Sequence, residues 1–260
     1  MAKKNNTPSQ SVWILFATST LLLSAGWLMK SFPVFIFAGL APLFAISDQA
    51  KDKESPWNHL ELILLSLATS LFCARIFDTA QIIPILAQSI LFALAFAGYT
   101  FSYQSLGSRL GKFTILFFWL ALEYLMLKLP WRQDSIFLAD ALLLKTSWWK
   151  WNTSLGYLGV SLWMLTVNLF FYLGFYKYST INWYLIAFSI LLIACPLIYS
   201  VYFLETPGIN REQMMSVYGT GELTVSENYK NRAEFIVRTA TWVAVLILLL
   251  AIVKNKTQKK

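Results

Sequence analysis

Long apolar stretches alternate with short polar connections along the chain, and this pattern predicts a series of membrane helices. Five stretches contain no Asp, Glu, Lys or Arg, and they cover residues 5–29, 31–47, 79–108, 151–176 and 178–204. Several of them reach the ~20 residues that an α-helix needs to cross a bilayer. Hydropathy predicts eight membrane segments, approximately at residues 12–28, 32–46, 59–77, 80–101, 112–129, 155–176, 180–203 and 236–253. The predicted fold class is an all-α membrane protein in which residues 1–260 form a single polytopic membrane domain.

Two longer connections differ from the short loops and are predicted on the exoplasmic side. In the first, residues 130–154, four tryptophans stand beside basic residues: Trp131, Trp148, Trp149 and Trp151. Its apolar part, Ile136–Leu144, is too short to span a bilayer, which favours a re-entrant or interfacial half-helix held by the indole rings. The second, residues 204–235, is the most polar stretch of the chain and is predicted to form a short loop before the last helix.

Basic residues in the short loops predict the orientation in the membrane. If both termini are cytoplasmic, five of these residues lie on the cytoplasmic side: Lys51, Lys53, Arg109, Lys112 and Lys177. Only Lys30 and Arg75 then lie in the short outer turns, so the positive-inside rule favours this arrangement. The predicted localisation is the bacterial inner membrane, which the chain crosses several times.

Composition supports a membrane protein and excludes other classes. Charged residues make up 13% of the chain, about half of the ~25% typical of a globular domain, while 57% of the residues are apolar. Many of the charges that give the net +8 flank membrane segments, so they indicate contact with anionic lipid headgroups and not with nucleic acid. The two cysteines, Cys73 and Cys195, are too few for a disulfide framework or a metal cage.

The sequence contains no signature of a hydrolase, a nucleotide-binding site or a metal site, and no cofactor is predicted. His59, the only histidine, lies at the predicted cytoplasmic start of the third segment. A Ser-His-Asp triad on the outer face is therefore excluded. We predict neither a catalytic residue nor a metal ligand.

A few polar residues inside the membrane segments are candidates for functional contacts. Glu123 lies near the outer end of the fifth segment, where a carboxylate must face protein or water and find a partner. Lys128 and Arg132, just beyond it, are the nearest cationic partners in the sequence. Two interpretations remain open: a buried pair that fixes helix packing, or a contact with a lipid headgroup or substrate. Asn168 and Gln88, in the sixth and fourth segments, are explained by interhelical hydrogen bonds.

Several motifs point to a known family. Residues 149–168 contain a Gly-rich turn, a Gly-x-Ser-Leu-Trp motif and then a helix that bears Asn168. Shorter motifs occur at Phe37–Leu43, Glu123–Leu125, Gly221–Thr224 and Arg238–Trp242. Together with the count of eight helices, these motifs resemble the membrane domain of apolipoprotein N-acyltransferases, and they are distributed over most of the chain.

The resemblance implies an eight-helix membrane domain joined to a nitrilase-like domain inserted between helices seven and eight. In the family, a Glu-Lys-Cys triad in that domain passes an acyl chain from a phospholipid to a lipoprotein amine. Here the insertion point holds only Leu204–Phe235, which is too short for a layered α/β domain and contains no cysteine. The family's Pro-Trp-Leu signature is also incomplete, since this chain has Pro130-Trp131-Arg132. The resemblance thus implies a membrane scaffold without the catalytic domain.

The leading hypothesis is a non-catalytic member of that family, which binds lipid or lipoprotein or serves as a scaffold for a partner. Its predicted lipid- or substrate-contact residues are Glu123, Arg132, Trp148, Trp149, Trp151 and Asn168. The predicted partners are membrane lipids, together with lipoproteins or another membrane or periplasmic protein. Two alternatives remain open. One is the membrane subunit of a split acyltransferase whose nitrilase-like chain is supplied in trans, and the other is a structural subunit of an unrelated membrane complex.

Overall fold

Helices are the only regular elements in the residues that the computed structural model describes, which are 11–29, 33–50, 59–107, 111–129, 134–178, 180–205, 208, 210–213 and 227–258. The α-helices are α1 (Val12–Leu28), α2 (Ile36–Gly39), α3 (Ala41–Ala50), α4 (Leu60–Ala74), α5 (Ile82–Leu106), α6 (Thr114–Lys128), α7 (Asn152–Leu155), α8 (Tyr157–Phe175), α9 (Trp183–Phe203) and α10 (Glu227–Gln258). Short 3-10 turns precede α2 and α5, and a longer 3-10 segment covers Leu138–Trp148.

Every predicted membrane segment overlaps a helix, and the all-α membrane fold agrees with the sequence. Among the described residues, five helical stretches are long and apolar enough to cross a membrane: Pro33–Ala50, Thr79–Leu106, Tyr157–Phe175, Trp183–Phe203 and Lys230–Thr257. Helices α1 and α4 are also apolar, but they have only 17 and 15 residues. Five of the eight predicted segments thus meet the length and hydropathy of a full span.

The second predicted segment is interrupted at Leu40, between α2 and α3. Pro42 lies in the first turn of α3, where a missing N–H costs no helical hydrogen bond. The side chain of Asn168 bridges the break, since its Oδ1 accepts from Leu40 N at 2.8 Å and its Nδ2 donates to Ile36 O at 2.9 Å. Asn168 thereby takes the place of the backbone bond that would join Leu40 N to Ile36 O in a continuous helix.

Helix α8 lies at the centre of the bundle, and α9 and α10 lie at its periphery. The most apolar 18-residue windows of α8 and of Pro33–Ala50 are both 72% buried, whereas those of α9 and α10 are 17% and 22% buried. Helix α8 packs against α2, α3, α6 and α9, and α10 packs mainly against α6 and α5. The apolar faces that α9 and α10 leave open suit contact with lipid, because hydrocarbon chains are as apolar as the side chains they meet.

The two ends of the bundle carry different polar groups. At one end, Lys177 Nζ binds both carboxylate oxygens of Asp48, at 3.1 and 2.8 Å, and this ion pair joins α3 to the chain after α8. The opposite end carries residues 134–151 with Trp148, Trp149 and Trp151, and we call it the Trp-rich end. The candidate site lies at the Trp-rich end.

Candidate functional site

At the Trp-rich end, residues 135–140 run between the helices, and side chains from three of those helices bind their backbone. Gln88 on α5 makes two bonds with Ile136, donating to its carbonyl and accepting from its N–H at 3.0 Å. Ser161 Oγ on α8 accepts from Ala139 N at 3.2 Å. Because no water is available in the hydrocarbon region, non-helical backbone at membrane depth needs such partners. The predicted half-helix, Ile136–Leu144, overlaps this inserted segment and the 3-10 segment that follows it, and its re-entrant or interfacial position in a membrane stays a prediction.

Glu123 on α6 supplies a third contact to the inserted segment. Its Oε1 accepts from Leu138 N at 2.9 Å and from Trp119 Nε1 at 3.1 Å, and its side chain is completely buried. Oε2 has no partner of normal hydrogen-bond geometry among the described residues, although the Ser161 hydroxyl lies beside the carboxyl group. Among the described residues, Glu123 thus binds a backbone and an indole donor and not the cation of the predicted buried pair, and the predicted contact with a lipid headgroup or substrate stays a prediction.

Asp140 lies one turn further along the inserted segment and is the centre of a charged cluster. Its Oδ2 accepts from Phe137 N at 2.8 Å and from the guanidinium of Arg211, while its Oδ1 accepts from the hydroxyl of Tyr157. Arg211 also donates to Ser135 O at 2.6 Å. Burial raises the pKa of the Asp140 carboxyl above its ordinary value, and the charge of Arg211 and the Tyr157 hydroxyl oppose this shift.

A second guanidinium belongs to Arg75, at the end of α4. Arg75 donates from Nη2 to Asp134 O, and this bond holds the start of the inserted segment. Its Nε is buried and has no hydrogen-bond partner among the described residues. An unpaired buried donor on a charged group is costly, so this N–H is available to a ligand or a water molecule.

A cavity of about 220 Å³ lies between these groups at the Trp-rich end. Both guanidinium groups line it, together with Asp140, and its apolar wall includes Trp27 and Leu143. A narrow apolar crevice of about 20 Å³ continues between α1, α4, α5 and α6. Trp27 and Ile136 line both the cavity and the crevice, so the two adjoin each other.

The structure places the predicted tryptophans beside the cavity and not in its wall. Trp149 is 1% exposed and packs edge-on against Tyr157, with ring centroids 5.1 Å apart. Trp151 is 9% exposed and packs in the same way against Trp163 at 5.4 Å. Trp148 is partly buried, with Lys145 Nζ 5.9 Å from its ring centroid. The indole N–H groups of Trp149 and Trp151 have no acceptor among the described residues.

The other predicted contact residues lie elsewhere. Asn168 is fully buried in the bundle centre, where its amide group makes three hydrogen bonds to protein groups. Arg132 lies outside the described residues. Sequence reasoning missed Arg75, Asp140 and Arg211 as a site. The available signal was a charged residue in a predicted outer connection, but the pairing of Asp140 with Arg211 joins positions 71 residues apart.

Within the described residues, no group of three or more His, Cys, Asp or Glu side chains is placed to hold a metal ion. Comparisons with protein families, with curated proteins and with solved structures find no match to this chain. The resemblance to apolipoprotein N-acyltransferases therefore rests on the sequence motifs alone and stays a prediction.

Proposed function

We propose that this protein is a non-catalytic membrane module that binds an amphiphile with an anionic group, a membrane lipid or the lipid anchor of a lipoprotein. The anionic group occupies the cavity at the Trp-rich end, and a hydrocarbon chain enters the adjoining crevice. The Trp-rich end faces the exoplasmic side of a bacterial inner membrane, and both termini are cytoplasmic. The cavity and the apolar crevice beneath it are the observation that carries this proposal.

The charge of the cavity favours an anion. The guanidinium groups of Arg75 and Arg211 contribute two positive charges, and the Asp140 carboxylate contributes one negative charge. Asp140 already accepts from Arg211. Among the described residues, Arg75 therefore has no ion-pair partner in the cavity, and its Nε–H is unpaired. Guanidinium groups bind phosphate and carboxylate oxygens through charge-assisted hydrogen bonds.

The crevice explains why the ligand is an amphiphile and not a free anion. It is lined mainly by apolar side chains, among them Leu23, Leu67 and Phe92. Its volume of about 20 Å³ is too small for a hydrocarbon chain, so binding requires α1 and α4 to separate slightly. An apolar chain placed there leaves the surrounding bilayer but keeps the headgroup next to Arg75.

Lipid retention by the Arg75→Gln variant tests the proposal. Purified protein is incubated with phosphatidylglycerol, and native mass spectrometry measures the fraction that retains the lipid. We expect retention to fall about tenfold or more, because a good charge-assisted contact contributes ~1.5–3 kcal/mol. Dioleoylglycerol, which has the hydrocarbon chains but no phosphate, should show no dependence on Arg75.

Arg232→Gln is the matched control, since Arg232 is exposed on α10 and is bonded to Asn228 O of its own helix. This variant removes the same charge without touching the cavity, so it should retain phosphatidylglycerol like the wild type. Equal retention by wild type and Arg75→Gln would contradict the proposed site.

The split acyltransferase remains a second candidate, because the last helix is fully integrated in the bundle. Helix α10 packs against α6, α5 and α8 even though only a short connection precedes it. Affinity purification in mild detergent tests this candidate: a nitrilase-like chain recovered in equal amount supports the split enzyme. Recovery with an unrelated membrane complex supports a structural subunit.

A further inference from the structure

We propose that Arg211 is a latch that closes the cavity at the Trp-rich end, and that breaking its ion pair with Asp140 opens the cavity to ligand. This inference rests on the proposed function for its purpose, but the opening itself is measured without any lipid. The described turn at residues 210–213, which carries Arg211, thus controls access to the site.

The turn that carries Arg211 has its own internal bonds. Asn210 N donates to Gln213 Oε1 at 3.0 Å, and Gln213 N donates to Asn210 Oδ1 at 2.8 Å. This reciprocal pattern is that of a capping box, which fixes the geometry of a first helical turn. The turn can therefore move as a unit without losing these two bonds.

Arg211 attaches this turn to the inserted segment at three places. It forms the ion pair with Asp140, it donates to Ser135 O, and its guanidinium carbon lies 5.7 Å from the centroid of the Phe137 ring. Its side chain is 24% exposed, so Arg211 lies between the solvent and the cavity that it lines. Among the described residues 210–213, Arg211 alone lines the cavity.

The chain before the turn is anchored more closely to the rest of the protein. A Cβ added at Gly208 would lie 2.8 Å from Asn152 Oδ1 and 3.1 Å from Lys150 Cα, so the backbone approaches this surface more closely than another residue allows. Lys150 Nζ also donates to Leu204 O at 2.8 Å. A close approach of the backbone at Gly208, followed by a turn whose Arg211 side chain reaches across to Asp140, is the arrangement of a latch.

Substitutions of the two ion-pair partners leave different charges beside the cavity. Asp140→Asn removes the negative charge of the ion pair, which weakens the hold on Arg211 and keeps the positive charge of Arg211 beside the cavity. Arg211→Ala also opens the cavity but removes that charge. A merely structural ion pair predicts the same loss of function in both variants, whereas a latch predicts opposite effects on the binding of an anion.

The opening is measured by the labelling rate of a cysteine placed inside the cavity. Ala141 lines the cavity and is 7% exposed, so Ala141→Cys reports access in a background in which Cys73→Ala and Cys195→Ala remove the native thiols. A charged methanethiosulfonate reagent is applied to protein in lipid-free detergent. We expect Asp140→Asn and Arg211→Ala each to raise the rate about tenfold, the factor that corresponds to ~1.4 kcal/mol.

Leu155→Cys is the reference site, because Leu155 is 46% exposed on α7 and does not line the cavity. Its rate should be the same in all backgrounds, which distinguishes opening of the cavity from general unfolding. Arg211→Lys keeps the charge but loses the planar donor pair. In this variant the labelling rate of Ala141→Cys should therefore lie between the rates in the wild type and in Arg211→Ala. Unchanged labelling of Ala141→Cys in both latch variants would overturn the latch.

Phosphatidylglycerol retention gives the second measurement. With the latch open, Asp140→Asn should retain more of this lipid than the wild type, and Arg211→Ala should retain less. If neither the wild type nor Asp140→Asn retains any phosphatidylglycerol, the proposed function is overturned. Faster labelling of Ala141→Cys would still support the latch. Equal retention by the two variants, with faster labelling in both, would overturn the role of Arg211 in binding the anion.

Discussion

A single acceptor atom, Oε1 of Glu123, stabilises two different elements. These contacts explain why the carboxylate is buried although it has no cationic partner among the described residues. Its Oε1 binds Leu138 N of the inserted segment and Trp119 Nε1 of its own helix. Gln88 and Ser161 perform the same task for Ile136 and Ala139. The polar side chains of the membrane helices thus replace the hydrogen bonds that water would make with this backbone.

Substitutions of Glu123 should separate its acceptor role from its charge. Glu123→Gln keeps an acceptor oxygen and should fold with little loss of thermal stability. Glu123→Leu leaves Leu138 N buried without a partner, which costs ~1–3 kcal/mol. We expect a clear decrease in the melting temperature of Glu123→Leu but not of Glu123→Gln, when all variants are measured by intrinsic fluorescence in one detergent. Glu61→Leu, an exposed position on α4, is the control. A Leu variant as stable as the wild type would contradict this role.

At the scale of elements, the interruption between α2 and α3 is bridged by a side chain from α8. Asn168 both donates and accepts there, and its amide group does so through two separate atoms, Nδ2 and Oδ1. Hydropathy predicted one continuous segment over residues 32–46, because the apolar pattern does not record which backbone groups are paired. Pro42 was visible in the sequence, but its effect depended on a residue 128 positions away from Leu40.

Asn168→Asp should destabilise the bundle almost as much as Asn168→Leu, although Asp is nearly the same size and shape as Asn. An aspartate still accepts from Leu40 N, but it loses the donor to Ile36 O and Met164 O and faces two carbonyl oxygens. We expect both variants to lower the melting temperature and to shift the protein toward aggregates in size-exclusion chromatography. Thr166→Val, which removes only a bond within α8, should behave like the wild type. A stable Asp variant would show that the donor is dispensable.

At the scale of the whole molecule, positions of the helices follow from the sequence, whereas the cavity does not. Apolar stretches of ~20 residues determine where helices form, so all eight predicted segments overlap helices. The last helix is longer than the predicted 236–253, because polar residues on both sides continue the helix to Glu227–Gln258. The cavity depends on Arg75, Asp140 and Arg211 lying around the same space, and no local pattern encodes such an arrangement of distant positions.

The length of α10 leads to a prediction about orientation that the proposed function requires. Its 32 residues extend about 48 Å, well beyond the ~30 Å of the hydrocarbon core, so its polar ends lie outside the membrane. Lys254 and Lys256 follow the apolar part of the helix, and the positive-inside rule predicts that they lie in the cytoplasm. The cavity is then predicted to face the exoplasmic side, from which the proposed ligand enters.

Cysteine labelling in intact cells tests this orientation. In the background without native cysteines, Leu155→Cys should react with a membrane-impermeant maleimide in cells whose outer membrane has been made permeable. Thr257→Cys, near the C-terminal end of α10, should react only after the inner membrane is also disrupted. The reverse pattern would place the cavity in the cytoplasm, where the latch and its ligand would face the other leaflet. Labelling of both cysteines before the inner membrane is disrupted would place Leu155 and Thr257 on the same side of the membrane. That result would contradict the prediction that α8, α9 and α10 each cross the membrane between them.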